Sequence, residues 1–255
     1  MLHPIGDTLN MKIITWNCNM AFRKKADVIL TCKPDILIVP ECEHPDKLLF
    51  NSGTPRPTDI LWFGQNQNKG LGIFSYSDFR FKVPDVHNDH FKMIVPVAVT
   101  GAQFDFTLFA IWANNSEDPD GQYITQVWKA IHHYDSLITN KKTILIGDFN
   151  SNTIWDKPKR EGNHSTVVKK LEAKEIHSVY HKHFDQTQGK EQHATFYLYK
   201  HKHKTYHIDY CFASIDMLEH LKSVEIGDYE SWIKYSDHVP VMVSFNKKIF
   251  QPRKR

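Results

Sequence analysis

The sequence predicts a mixed α/β fold in which two β-sheets pack face to face and helices cover the outside. Short runs rich in β-branched and aromatic residues have strand length and recur along the whole chain. Segments of helical periodicity are interleaved with them, so strands and helices are not segregated. Continuous apolar runs such as Ile144-Leu145-Ile146 suit strands covered on both faces, which requires more than one layer around the sheets.

The elements follow in order. Lys12-Ile13-Ile14-Thr15-Trp16 reads as a strand that runs into Asn17. A helix is expected over 23–32, where Ala26, Ile29 and Leu30 share a face. The strand Asp35-Ile36-Leu37-Ile38-Val39-Pro40 runs into Glu41, and further strands are expected at 71–76 and 92–99. Phe106 to Trp112 is a strand that leads to Asn114. Tyr123, Val127, Ile131, Tyr134 and Ile138 keep helical spacing over 121–139, behind a cap region at Asp118-Pro119-Asp120-Gly121. Thr143 to Gly147 is a strand ending at Asp148, a third helix spans 164–174, and strands follow at 194–199, 206–213 and 239–245. With no repeat and no linker rich in Pro, Gly or Ser, the expectation is one domain over 11–246. It is preceded by an N-terminal extension over 1–10 and followed by a basic tail over 247–255.

Composition excludes several classes. The charged fraction of 24% and hydrophobic fraction of 41% are those of a globular chain, which rules out disorder or a coiled coil throughout. The four cysteines (Cys18, Cys32, Cys42, Cys211) show no paired metal or redox spacing and read as small buried hydrophobes in a reducing compartment. There is no apolar stretch of the roughly 20 residues that a membrane span needs, and no charged-then-apolar secretory start, so the expected location is cytoplasmic. The net charge of +3 is too small to announce a nucleic-acid binder. Two basic stretches, Lys200 to Lys204 and the tail Lys247 to Arg255, read either as solvated surface or as phosphate contacts.

Functional groups of such folds gather where strands end, because the rigid sheet positions the following loops. Five apolar strands present Asn17, Glu41, Asn114, Asp148 with Asn150, and Asp237 with His238 near their ends. Asp209 lies within an apolar strand, where a carboxylate is costly unless it is paired or ligates a metal. A set this rich in Asp, Glu and Asn oxygens suits a hard divalent cation such as Mg²⁺ or Mn²⁺, whereas zinc is disfavoured for want of a Cys/His cluster. The pairs His181/His183, His201/His203 and His132/His133 are interrupted by lysine or lie in loops and read as solvated surface. The sequence has no Gly-x-Ser-x-Gly elbow, Walker loop or Gly-x-Gly-x-x-Gly turn, so those catalytic classes are set aside.

The motifs Trp16-Asn17-Cys18-Asn19, Pro40-Glu41-Cys42-Glu43, Gly147-Asp148-Phe149-Asn150-Ser151, Ile208-Asp209-Tyr210 and Ser236-Asp237-His238 occur in this order over residues 11 to 245. Together they resemble the endonuclease/exonuclease/phosphatase superfamily of exonuclease III, AP endonucleases and DNase I-like nucleases. The resemblance implies a four-layer α/β/β/α sandwich and a Mg²⁺-dependent phosphodiester hydrolase, with DNA as the expected partner. It implies that Glu41, with Asn17 and Asp237, holds the cation (Mg²⁺ or Mn²⁺). Asp148 and Asn150 would lie across the scissile phosphate, His238 would sit against a phosphate oxygen or the attacking water with Asp209 orienting it, and Asn114 would hydrogen-bond the phosphate. Whether Asp148 or His238 removes the water proton stays open at the level of sequence.

Departures bear on substrate. Ile111 stands where exonuclease III-like members carry Tyr, and Ala113 stands where DNase I-like members carry a second His. The apolar pocket that AP endonucleases use for a base-less sugar corresponds to Phe196, Tyr206 and Ile208, a partial match. Phe196, Tyr206 and Trp112 are the expected substrate contacts, with a core role for Trp112 as the competing reading. Two other functions compete with a DNA nuclease: a phosphatase or phosphodiesterase of a small phosphoester, phosphoinositide or phospholipid, and a catalytically silent binding scaffold.

Overall fold

A computed structural model describes residues 10–50, 54–91, 93–114 and 123–246. Of the extension expected at 1–10, positions 1–9 lie outside these residues, as do the helix cap at 118–121 and the basic tail at 247–255, whereas Asn10 already belongs to the first strand. Two six-stranded sheets form the body. The first contains β1 (Asn10–Thr15), β2 (Ile36–Cys42), β3 (Asp59–Asn66), β4 (Lys69–Ser75), β13 (Leu221–Ile226) and β14 (Val241–Asn246), in the order β13-β14-β1-β2-β4-β3. The second contains β5 (Arg80–Lys82), β6 (Ile94–Thr100), β7 (Phe106–Trp112), β8 (Thr143–Asp148), β9 (Ile176–Ser178) and β12 (Asp209–Ser214), in the order β5-β6-β7-β8-β12-β9. Each sheet has one parallel pair at its centre, β1 with β2 and β7 with β8, among antiparallel neighbours. A separate hairpin pairs β10 (Phe196–Tyr197) with β11 (Thr205–Tyr206).

Strand periodicity explains the layering. Successive side chains point to opposite faces, so an all-apolar strand feeds two cores. Ile13, Ile38, Ile73 and Val243 of the first sheet meet Val97, Leu108, Ile146 and Cys211 of the second in the central core. Their neighbours Ile14, Leu37, Val39 and Phe74 face outward beneath α1 (Ala26–Leu30) and α6 (Tyr229–Trp232), contacting Ile29 and Trp232. On the far side Phe109, Leu145 and Phe212 pack under Val127 and Ile131 of α2 (Ile124–His133) and Val167 and Leu171 of α3 (His164–Glu172). The result is the four-layer α/β/β/α arrangement. The short helices α4 (Val179–Phe184) and α5 (Ile215–Leu218) close the edge beside β9 and β12. Among the described residues, no helix is long and apolar enough to cross a membrane.

Several elements depart from expectation. The helix expected over 23–32 is a 3-10 turn at Phe22–Lys24 followed by the five-residue α1. The strand expected over 194–199 is only Phe196–Tyr197, and the chain then turns through residues 198–200 with Tyr199 and Lys200 at φ 55° and 59°. The strand expected over 206–213 is interrupted at His207 and Ile208, because Thr195 Oγ1 accepts the amides of Ile208 (2.9 Å) and Asp209 (3.0 Å) in place of a strand neighbour. The four cysteines are free.

Candidate active site

The polar groups named from sequence collect at one end of the sandwich, where β1, β2, β7, β8 and β12 of the two sheets terminate or begin. Asp148 is the hub. It is fully buried at the end of β8, opposite Asp209 in the β8–β12 register. Asn17, also buried, follows β1 and donates through Nδ2 to Asp148 Oδ2 (3.0 Å) and more distantly to Glu41 Oε1 (3.5 Å). That single amide ties the first sheet to the second. Asn150 donates its backbone amide to Asp148 Oδ1 (2.9 Å) and its Nδ2 to Asp148 Oδ2 (3.1 Å) and Ala113 O (2.8 Å). Asn114 is half-buried directly after Ala113, whose amide donates to Asp148 O (2.8 Å), so the β7 end runs beside the hub.

Two local devices aim these side chains. Glu41 has φ 63° where the pairing of β2 with β4 slips between Pro40 and Cys42, so a β-bulge turns the carboxylate away from strand alternation. A non-glycine residue held at positive φ stores strain, which is commonly found at functional sites. In the Ser236-Asp237-His238 segment, Ser236 is the anchor. Its Oγ donates to Asn17 O (2.7 Å) and accepts the His238 amide (3.1 Å), which fixes the loop to the end of β1.

His238, 5% exposed, donates from Nδ1 to Asp209 Oδ2 at 2.9 Å. Burial alone would lower the imidazolium pKa. The Asp209 carboxylate, its hydrogen bond and nearby Asp148 outweigh that cost and hold the imidazolium above its ordinary range. Asp148 moves the other way for an acid. Burial, followed by repulsion from Asp209, pushes its carboxyl up to about 7, opposed by His238 and the Asn17 hydrogen bond. Two buried carboxylates facing one imidazole leave an excess of negative charge, and Asp209 Oδ1 is buried with no hydrogen-bond partner among the described residues.

These features fit a hard cation. Donor atoms of Asp148, Asp209 and His238 all lie within 4.8 Å of one another, and no other group of three or more such side chains does so among the described residues. Glu41, half-buried, presents a further carboxylate next to this cluster through Asn17. Asp237 is half-buried and bonds Asn19 Nδ2 (3.0 Å) and, weakly, Ser236 Oγ (3.4 Å). Of the three groups expected to bind metal, Asn17 and Glu41 thus contact one another, while Asp237 flanks them.

The expected substrate contacts separate. Phe196 lays its ring 4.7 Å from that of His238, and the segments form a β-bridge at these residues. Tyr206 stacks at 6.3 Å behind Phe196. Trp112, by contrast, is 6% exposed within the central core, so the substrate-stacking expectation gives way to packing. The surface reading of His181 is also corrected. The residue is half-buried on α4 and donates to Glu191 Oε1 at 3.1 Å, whereas His132, His133, His201 and His203 are exposed as expected.

Lys69 was missed by sequence reasoning. Its Nζ lies 3.2 Å from Glu41 Oε2 and 5.2 Å from the centre of the Trp112 ring. Its sequence signal was its place at the start of the Gly70-Leu71-Gly72 strand, which pairs with the Glu41 segment. Asn19 and Thr195, which hold Asp237 and the start of β12, were likewise not singled out.

No protein-family model matches this sequence, and no curated protein matches it. Solved structures do. The chain superposes on a 3′-5′ exonuclease (NExo) from Neisseria meningitidis with a TM-score of 0.67 and 23% sequence identity, covering 92% of this chain and 99% of that one. A further structure of NExo, described as a 3′ phosphatase, is bound to a product DNA hairpin. The AP endonuclease LMAP from Leishmania major gives a TM-score of 0.67 at 13% identity, covering 93% of this chain and 88% of its own. An AP endonuclease from Archaeoglobus fulgidus gives 0.60 at 18% identity, covering 92% and 99%. The fold is therefore that of the endonuclease/exonuclease/phosphatase nucleases, as the motifs led us to expect.

Proposed function

We propose that this chain is a Mg²⁺-dependent phosphodiester hydrolase acting on DNA, with residues 11–246 as its catalytic domain. The observation that carries the reading is the buried Asp148–Asp209–His238 cluster, joined to Glu41 by the Asn17 amide. The DNA-bound Neisseria relative supports the choice of substrate. Glu41 and Asn17, flanked by Asp237, would hold the cation, with Mn²⁺ as an alternative occupant. When bound, the cation supplies charge stabilisation for the phosphate oxygens and lowers the pKa of water.

This chain's own groups do the rest. Asp148, with its carboxyl raised into the neutral range, takes the proton of the attacking water as the new P–O bond forms, while the P–O bond opposite it breaks and its electron pair leaves on the departing oxygen, which takes a proton from solvent. His238, kept charged by Asp209, donates from Nε2 to a non-bridging oxygen as negative charge grows there. Asn114 orients the phosphate with a neutral donor, which does not offset the charge of the cation, while Asn150, whose amide groups are engaged by Asp148 and Ala113 O, fixes the Asp148 carboxylate beside it. Phe196, over the His238 ring, shields that ring from water on one face.

A panel of labelled intact, nicked, abasic, single-stranded, RNA and 5′-tyrosyl substrates tests this reading with Mg²⁺, Mn²⁺ or chelator. Hydrolysis of DNA that needs the cation and stops with chelator is expected. Undiminished cleavage in chelator would refute the metal role. Turnover of a small phosphoester with none of any DNA would move the substrate to the competing class.

Lys69 gives a second expectation. Its ammonium is the counter-charge of Glu41 and would oppose a cation there. Lys69→Met keeps the apolar stem over Trp112 and removes the charge. Calorimetric Mg²⁺ affinity should tighten by about threefold to tenfold, the scale of a partly solvated charge contact. Unchanged or weaker binding would contradict it.

A further inference from the structure

An aromatic row leads away from His238 and ends in a residue to which neither the motifs nor the proposed chemistry assign a role. Phe196 covers His238, Tyr206 stacks behind Phe196, and Trp155 packs on Tyr206 with ring centres 4.8 Å apart. Trp155 is 40% exposed and its neighbour Ile154 is 56% exposed. Neighbouring large apolar side chains exposed together point to an interaction surface where single ones do not. Here they close a 3-10 turn, Thr153–Trp155, capped by Asn152 Oδ1, which accepts the Ile154 amide at 3.1 Å. Asn152 is itself 2% exposed, and its Nδ2 donates to Glu191 (3.1 Å), His207 O (3.0 Å) and Tyr210 Oη (3.1 Å). The turn is thus bolted to the buried interior while its apolar tip faces solvent.

The exposed residues next to Trp155 are mainly basic; of the nearby acids, Glu161 accepts from Trp128 Nε1 (3.3 Å) and Glu191 from Asn152 Nδ2 (3.1 Å). Lys157 and Lys159 are exposed just beyond Trp155, and Arg160 reaches back to donate to Trp155 O at 3.3 Å. The intervening carboxylate, Asp156, is occupied by the first amides of α3, those of His164 (2.8 Å) and Ser165 (3.1 Å). On the other flank, the hairpin segment from Gln192 to Ile208 contains no acidic residue and exposes Lys200 and Lys204.

We propose that Trp155, together with Tyr206 and Phe196, is a stacking platform for the bases of an unpaired nucleic-acid strand adjoining the scissile phosphate, with Lys157 and Lys159 on its backbone. This rests on the phosphodiesterase reading and narrows its substrate to strands that are single or frayed at the site. The physical reason is access. In a duplex both π-faces of each base are covered by stacked neighbours, and only base edges reach the grooves. A row of ring faces can engage only a base that has left the stack, and it does so without sequence preference.

Binding of a short labelled oligothymidylate, and of a blunt duplex of equal length, tests this by fluorescence anisotropy in chelator, where no turnover occurs. Trp155→Ala should weaken single-strand binding roughly tenfold, within the range for loss of one base-stacking contact. It should leave duplex binding within about twofold, and Trp155→Phe should recover most of the loss. Lys157→Ala with Lys159→Ala should weaken both ligands and flatten the salt dependence. Equal single-strand affinity for Trp155→Ala and the parent, at unchanged circular dichroism, would overturn the platform even if cation-dependent DNA cleavage persists. Conversely, selective loss of single-strand binding in a protein that cleaves no DNA would uphold the platform and sink the catalytic reading.

Discussion

His238→Ala should lose hydrolysis by roughly 10³- to 10⁴-fold in kcat, the range for removing a positioned acid–base group or its oriented partner. The imidazole is oriented by its partner, because Nδ1 is engaged by Asp209 at 2.9 Å, which leaves Nε2 as the free donor. Alanine also strips the Asp209 carboxylate of its His238 partner. Asp209 Oδ1 has no hydrogen bond among the described residues, so the variant would bury a carboxylate with neither side-chain oxygen satisfied by them. A fall in thermal stability should therefore accompany the loss of activity. Pairing the change with Asp209→Asn separates the two effects. The double variant should regain stability relative to His238→Ala, because the buried Asp209 charge and its repulsion of Asp148 are gone, yet stay inactive. Retention of more than a tenth of parental kcat by His238→Ala, measured with saturating cation, would remove the residue from the mechanism.

Gly147→Ala should destabilise the protein by about 3–5 kcal/mol, the sum of backbone strain and overpacking in a core. Gly147 sits at φ 148°, which L-residues rarely adopt, and a Cβ there would lie 1.8 Å from Ile111 O on the paired strand β7. The obstacle is the Ile111 backbone, so no rotamer change relieves it. For a chain of this length the melting temperature should fall by roughly 10 °C. Because Asp148 is the next residue, the same shift should displace the hub, and residual activity should drop further than the unfolded fraction explains. A melting temperature within a degree or two of the parent would show that β7 and β8 separate more easily than their pairing implies.

Much of the fold was legible because its central strands are apolar on both faces. Ile144 to Ile146 announces a doubly covered strand from composition alone, and β8 is buried throughout. The edge strands were not legible, for the opposite reason. β13 mixes exposed and half-buried positions, and its register slips between Leu221 and Ser223, which erases a two-residue period. β3 is half-exposed along its length and contains Gly64, so it resembles loop in one dimension. The helix of 121–139 was overextended because Tyr134 and Ile138 are buried in the core that lies under it, although the helix itself stops at His133.

The site divides along the same line. Polar residues at the ends of apolar strands are a local signal from which Asn17, Glu41, Asp148 and His238 could be named, and a carboxylate inside an apolar run marked Asp209, together giving oxygen-rich chemistry suited to a hard cation. Which of them meet is a question of strand neighbours and register, and those depend on pairings between residues far apart in the chain. Antiparallel pairing of β8 with β12 sets Asp148 opposite Asp209, and a bridge between residues 196 and 238 lays Phe196 on His238. Lys69 beside Glu41, Trp155 behind Tyr206 and the burial of Trp112 belong to the same class of facts. Side-chain type and two-residue periodicity decide which chemistry a strand can offer and on which face; only the packing of one strand against another decides what that chemistry faces.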